Sequence, residues 1–105
     1  MTEDLLDLGH FSDPSLLIMA SLAGGPRHGY AMMEDIEAFA LVRLGPGTLY
    51  GALARLEQRG WIAALPAEDR RRPYRLTAAG AAALREQLTS LEQVAHLGLR
   101  RLAAL

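Results

Sequence analysis

Residues 45–61 read GPGTLYGALARLEQRGW, and this stretch decides the fold. Pro46 suits the first turn of a helix, where its missing amide proton has no intrahelical partner to lose. On a helical wheel of about 100° per residue, Leu49, Ala52, Leu53 and Leu56 gather on one side and must face a core. Opposite them lie Gly47, Gly51, Ala54 and Gln58, with Tyr50 on one edge and Thr48 and Arg55 on the other. Each glycine there costs the helix roughly 1 kcal/mol relative to alanine. A helix that only had to be soluble would carry charge instead. Small residues let a helix come close to the floor of a groove, and the side chains around them can bond bases and phosphates. The plain alternative is an ordinary surface helix of alanine and glycine.

Two helices precede this one. Ser12-Asp13-Pro14 is a helix start, since Ser12 or Asp13 can accept the orphan amide protons and Pro14 fits the first turn. That helix runs through LLIMASLA and stops at Gly24-Gly25-Pro26. A second begins near His28-Gly29-Tyr30 and carries Met33, Ile36 and Ala40 on one stripe, followed by a connector at 41–45. After Gly60, residues 61–65 read as a strand and residues 73–77 as its partner, with the polar PAEDRRR between them as a turn. Thr77 can cap a long final helix towards Leu105. Residues 1–12 are either a tail or a short helix using Leu5, Leu6 and Leu8. The expected fold is mainly α, an α+β winged helix-turn-helix: three helices, a two-stranded β-wing and a long C-terminal helix. The domains divide as 1–12, 13–77 for the winged helix-turn-helix, and 78–105 for the last helix.

Composition narrows the function. The net charge is −1, yet residues 1–40 carry seven acids against Arg27 and residues 41–105 ten arginines against five acids. That split points to a basic face in the second part. All eleven cations are arginine, the better fork for phosphates and guanine edges. There is no cysteine, which removes disulfides and thiolate chemistry. His10, His28 and His96 are scattered without metal-ligand spacing, and no nucleophile–base set or phosphate-binding glycine loop is present, so neither an enzyme, a metal nor a cofactor is expected. The apolar runs are too short to span a bilayer and the acidic N-terminus does not resemble a signal peptide, so a cytoplasmic protein without membrane contact is expected.

HGYAMMEDIE at 28–37, GPGTLYGALARLEQRGWI at 45–62 and YRLTAAG at 74–80 resemble the signatures of the PadR family of bacterial transcriptional regulators. The resemblance covers residues 14–88 or so, and PGTLY…L.RLE..G is its specific part. It implies a dimeric winged helix-turn-helix repressor whose C-terminal helix makes the dimer, with double-stranded operator DNA as partner. It places His28, Gly29 and Tyr30 at a helix start beside the DNA backbone, and Pro46, Gly47, Thr48, Leu49 and Tyr50 at the opening of the recognition helix. Arg71 and Arg72 fall on the family's basic wing. Three departures stand out: Gly45 where a capping serine is usual, Gly51 where proline is frequent, and Glu68-Asp69 in a wing loop without its usual glycine.

Arg70, Arg71 and Arg72 at a hairpin tip would extend three guanidinium groups from one small turn, an arrangement suited to phosphates and to salt-dependent binding. In the last helix Leu84, Leu88, Leu91, Ala95, Gly98, Leu102 and Leu105 step by four and three, a heptad seam for a second copy of the chain. Gly98 interrupts the seam, allowing close approach or a bend. Met32-Met33 reads as core, and Trp61 as a core anchor or part of an effector pocket; the last helix has no aromatic residue to stack a flat effector. The expected function is a homodimeric repressor binding a palindromic operator through Thr48, Tyr50 and Arg55, with a small-molecule effector left open. The competing class is a winged-helix module that binds protein and has lost DNA.

Overall fold

The computed structural model describes residues 13–105, so the tail or short helix at 1–12, Ser12 as a cap and His10 lie outside the described residues. Asp13 starts the first helix, α1 (Pro14–Leu22), by accepting from the amides of Ser15 at 3.1 Å and Leu16 at 3.4 Å. Leu16, Leu17, Ile18, Met19, Ser21 and Leu22 are all buried, so α1 is the central post of the domain. The buried Ser21 hydroxyl donates to the Asp35 carboxylate at 2.7 Å, which satisfies it.

The chain leaves α1 through Gly25, whose φ of 132° only glycine adopts readily, and enters a two-residue strand, β1 (Arg27–His28). His28 then caps α2 (Gly29–Ala40), its Nδ1 accepting from the Ala31 amide at 3.4 Å. Gly29, Met32 and Ile36 are buried, while Met33 and Ala40 pack at the edge of the core. An ion pair between Glu37 and Arg43 spans the connector, and Leu44 is buried beneath it. Then α3 (Pro46–Gln58) lays Leu49, Ala52, Leu53 and Leu56 onto α1 and α2. Its N-cap, Gly45, makes no side-chain cap bond, as the missing serine implies.

β2 (Ile62–Ala64) and β3 (Pro73–Leu76) pair antiparallel, with Ile62 opposite Leu76 and Ala64 opposite Tyr74. The expected two-stranded wing is corrected here to a three-stranded sheet of order β1-β3-β2. Arg27 and His28 take the free edge of β3, opposite Tyr74 and Pro73. That edge would otherwise expose unpaired amides and carbonyls.

The last helix, α4 (Ala78–Ala103), is docked at its start. The Thr77 amide donates to the Trp61 carbonyl at 3.0 Å, its hydroxyl donates to the Gly60 carbonyl at 2.7 Å, and the same oxygen accepts from the Gly80 amide at 3.0 Å. Gly80 and Leu84 are buried; beyond them every residue of α4 is exposed. The helix runs unbroken through Gly98, and the chain reaches 54 Å along its longest axis. No helix of the described residues is long and apolar enough to cross a membrane.

Candidate nucleic-acid interface

The outer face of α3 is bare. Gly47, Thr48, Tyr50, Ala54, Arg55 and Gln58 are exposed, and Gly51 is half-buried. A Cβ built at Gly47 meets nothing within 4 Å, so the face there is open space. At Gly51 it would stand 3.6 Å from Arg55 Nη1: the guanidinium lies back along the helix, one turn before its own Cα. The two glycines therefore differ. At Gly47 the surface is clear, while at Gly51 a side chain would rest in ordinary contact with the arginine.

Tyr50 reaches across to the start of α2. It is 53% exposed, and its hydroxyl lies 2.6 Å from where a Cβ on Gly29 would be. Tyr30 is exposed to a similar degree, on the next position of α2. Gly29 itself is buried. It leaves little surface of its own for the DNA backbone that the resemblance sets beside His28, Gly29 and Tyr30. His28 is half-buried and its Nδ1 is committed to the cap, which leaves Nε2 facing outward at 3.5 Å from Arg71 Nη1.

The wing tip is a tight two-residue turn. Glu68 and Arg71 exchange both backbone hydrogen bonds, at 2.7 and 2.8 Å, with Asp69 and Arg70 at φ of 47° and 68° between them. Two consecutive left-handed residues are the pattern of a type I′ turn, which Asn-Gly usually fills. Here the missing glycine is replaced by backbone strain, and Arg70 stands at the apex. The picture of three arginines projecting together is corrected at Arg72, which donates to the Leu65 carbonyl at 3.1 Å across the hairpin. Arg71 lies beside His28 without a hydrogen bond to it, since Nδ1 accepts in the cap and Nε2 then carries the ring proton. A cleft of about 650 Å³ separates this tip from β1, lined by Arg27, His28 and Arg71 but also by Glu68 and Asp69.

Arg27 was not singled out in the sequence. Its Nε donates to the Ser21 carbonyl at 3.3 Å and lies 3.7 Å from the Asp35 carboxylate, so it ties β1 to α1 and α2. Behind α3, burial raises the Tyr74 phenol above its ordinary ionisation range, with the charge of Glu57 adding to the effect. Trp61 packs half-buried against the core with the Arg59 guanidinium 5.1 Å above its ring, an ordinary cation–π arrangement. It also borders a cleft of about 440 Å³ with Leu16, Glu86, Gln87 and Leu91. Among the described residues no group of side chains comes together that could hold a metal.

On α4 the predicted seam divides. Leu84 is corrected from a seam residue to a core residue: it is 4% exposed and packs within its own domain. Leu88, Leu91, Ala95, Leu102 and Leu105 are exposed, with Leu105 lying just past the helix end. Val94, Leu97 and Leu99, which the heptad count passed over, are exposed as well. Together they widen the apolar arc to about 200° of the helix surface.

The family model described as the Transcriptional regulator PadR-like family matches residues 18–86. A 37.1 kDa protein of transposon TN4556 from Streptomyces fradiae is 43% identical over 83 residues, 79% of this chain. The chain spans only 24% of that relative's length. The transcriptional regulator Rv3488 of Mycobacterium tuberculosis is 38% identical over 87 residues, covering 77% of this chain and 78% of the relative. Among solved structures, a PadR family transcription regulator from Clostridium difficile superposes with a TM-score of 0.77 at 22% identity, over 87% of this chain and 99% of that one, a likeness of fold.

Proposed function

The chain belongs to the PadR-like family of transcriptional regulators, and on that premise we propose that it is a homodimeric repressor that binds a palindromic operator. One observation carries this reading. The side of α3 away from the core is uncharged and small at Gly47, Gly51 and Ala54, and is rimmed by Thr48, Tyr50 and Arg55. A major groove admits a helix with such a face, and the rim side chains then reach base edges. In this reading His28, Tyr30 and the wing arginines bond phosphates, with Arg70 as the foremost of the three.

Residues 13–77 are the DNA-binding unit and residues 78–105 the dimerisation helix, its first two turns serving the core. A helix whose broad apolar arc is left exposed by its own domain needs a neighbour, and a second copy supplies the same arc by two-fold symmetry. Such a dimer would present its two α3 helices to half-sites about one turn, ~34 Å, apart. A small-molecule effector would act at the cleft beside Trp61 and Leu91, where α4 leaves the DNA-binding unit and where occupancy can bias the angle between them.

Footprinting on the DNA upstream of its own gene tests the reading. Protection of two symmetric half-sites is expected, and Tyr50→Ala should weaken binding about tenfold while sedimentation still reports a dimer. A protein that retards no upstream duplex at moderate salt would sink the operator reading and favour the protein-binding module.

A further inference from the structure

Gly29 opens α2 with a φ outside the left-handed region, so its backbone does not require glycine. What excludes a side chain there is the neighbouring helix. A Cβ would stand 2.6 Å from the Tyr50 hydroxyl oxygen, 3.1 Å from Tyr50 Cζ and 3.2 Å from Leu49 Cδ2. Carbon–oxygen contacts close in to about 3.3 Å and little further. The atom most in the way is the far end of a half-exposed side chain, which can swing into solvent, while the buried Leu49 methyl is only slightly crowded.

We propose that Gly29 is a positioning residue for Tyr50. Its missing side chain is the slot that seats the phenol against the first turn of α2, and this seat fixes where the hydroxyl meets DNA. The inference rests on the operator-binding reading above and adds to it a residue that touches no DNA itself. It also replaces the expectation that Gly29 lies against the DNA backbone. A Cβ at Gly29 leaves the fold in place, since alanine favours the helix; it displaces the phenol, and Leu49 Cδ2 at 3.2 Å gives by only a few tenths of an ångström. Specific binding therefore falls while non-specific binding, which follows the wing and the phosphates, does not.

Two measurements test this. In the free protein, an NMR cross-peak between the Gly29 Hα protons and the Tyr50 ring is expected, and in Gly29→Ala the ring should lose its contacts with residue 29. A wild-type spectrum without that cross-peak overturns the slot whatever the DNA result. For binding, Gly29→Ala should lower operator affinity about tenfold with affinity for random duplex held within about twofold and the melting temperature within about 3 °C. In a Tyr50→Ala background the same substitution should change operator affinity less than about twofold, because the effect runs through the ring. An equal loss in both backgrounds overturns the proposal. If Tyr50→Ala alone leaves operator binding intact, the recognition-helix reading fails instead, and the cross-peak still reports whether the slot exists.

Discussion

Gly80→Ala should be among the most damaging single-methyl changes in this chain. A Cβ at Gly80 would stand 2.0 Å from the Trp61 carbonyl oxygen, 2.8 Å from its carbon and 2.9 Å from Leu76 Cδ1. An ordinary carbon–oxygen contact is about 3.3 Å, so α4 or β2 must retreat by more than an ångström. Neither is free to do so. The same carbonyl accepts from the Thr77 amide, and the Thr77 hydroxyl bridges Gly60 to the Gly80 amide. Retreat breaks or lengthens these bonds, the Thr77 cap among them, at about 1 kcal/mol each. Overpacking of the neighbouring Leu76 adds roughly 1 kcal/mol or more. Alanine returns about 1 kcal/mol of helix propensity. The net is a loss of ~2–4 kcal/mol, or about 10–25 °C in melting temperature for a domain this small. Urea titration followed by circular dichroism, at one protomer concentration for both proteins, measures it. A midpoint at or above that of the wild type would refute the close approach of α4 to Trp61.

The other predictions separate roles that look alike in sequence. Leu84→Ala should cost roughly 2–4 kcal/mol of domain stability by opening a cavity, while Leu102→Ala, at a position 63% exposed, should leave the domain intact and weaken self-association in sedimentation. Arg70→Gly relieves a left-handed arginine, so stability should rise by about 1 kcal/mol; the salt slope of operator binding should fall by about 0.9 if Arg70 holds one phosphate, and an unchanged slope removes it from the interface. Burial, then Glu57, raises the Tyr74 phenol above its ordinary value, so the folded state holds that proton more tightly than the unfolded chain. The resulting stability is complete below the ordinary phenol pKa of about 10 and is lost as pH rises through the folded value. An alkaline absorbance titration should show a late-ionising tyrosine that Tyr74→Phe deletes.

The faces of α3 were legible because both its buried and its bare residues are spaced for one helix, and no other element has to be known to sort them. The Asp13 and Thr77 caps were legible for the same local reason. β1 was not, since two residues show no alternation; Arg27 and His28 become a strand only because β3 has a free edge opposite them. Leu84 and Leu88 are equivalent in a heptad count. What distinguishes them is how far the core extends under α4, a length set by α1 and β3. Arg70, Arg71 and Arg72 form an undivided run in sequence, and only the hairpin register turns Arg72 onto the Leu65 carbonyl and sets Arg71 beside His28.

The glycines make the same point most sharply. Gly29, Gly47 and Gly80 each stand in or at the head of a helix, where glycine is costly, and the sequence does not say what, if anything, comes close to each. In the fold the approaching groups are different. At Gly80 it is a backbone carbonyl that cannot move, so the glycine serves the fold. At Gly47 nothing among the described residues approaches, and in the proposed reading that open space admits the duplex. At Gly29 it is the movable end of Tyr50, so in the proposed reading the glycine serves the site without standing in it. The three alanine variants should therefore fail in three ways: Gly80→Ala in folding, Gly29→Ala through the position of one phenol, and Gly47→Ala only when a duplex is present. Melting curves read beside operator and random-duplex affinities would separate them, and a loss of stability in Gly47→Ala would show that its open face is not open.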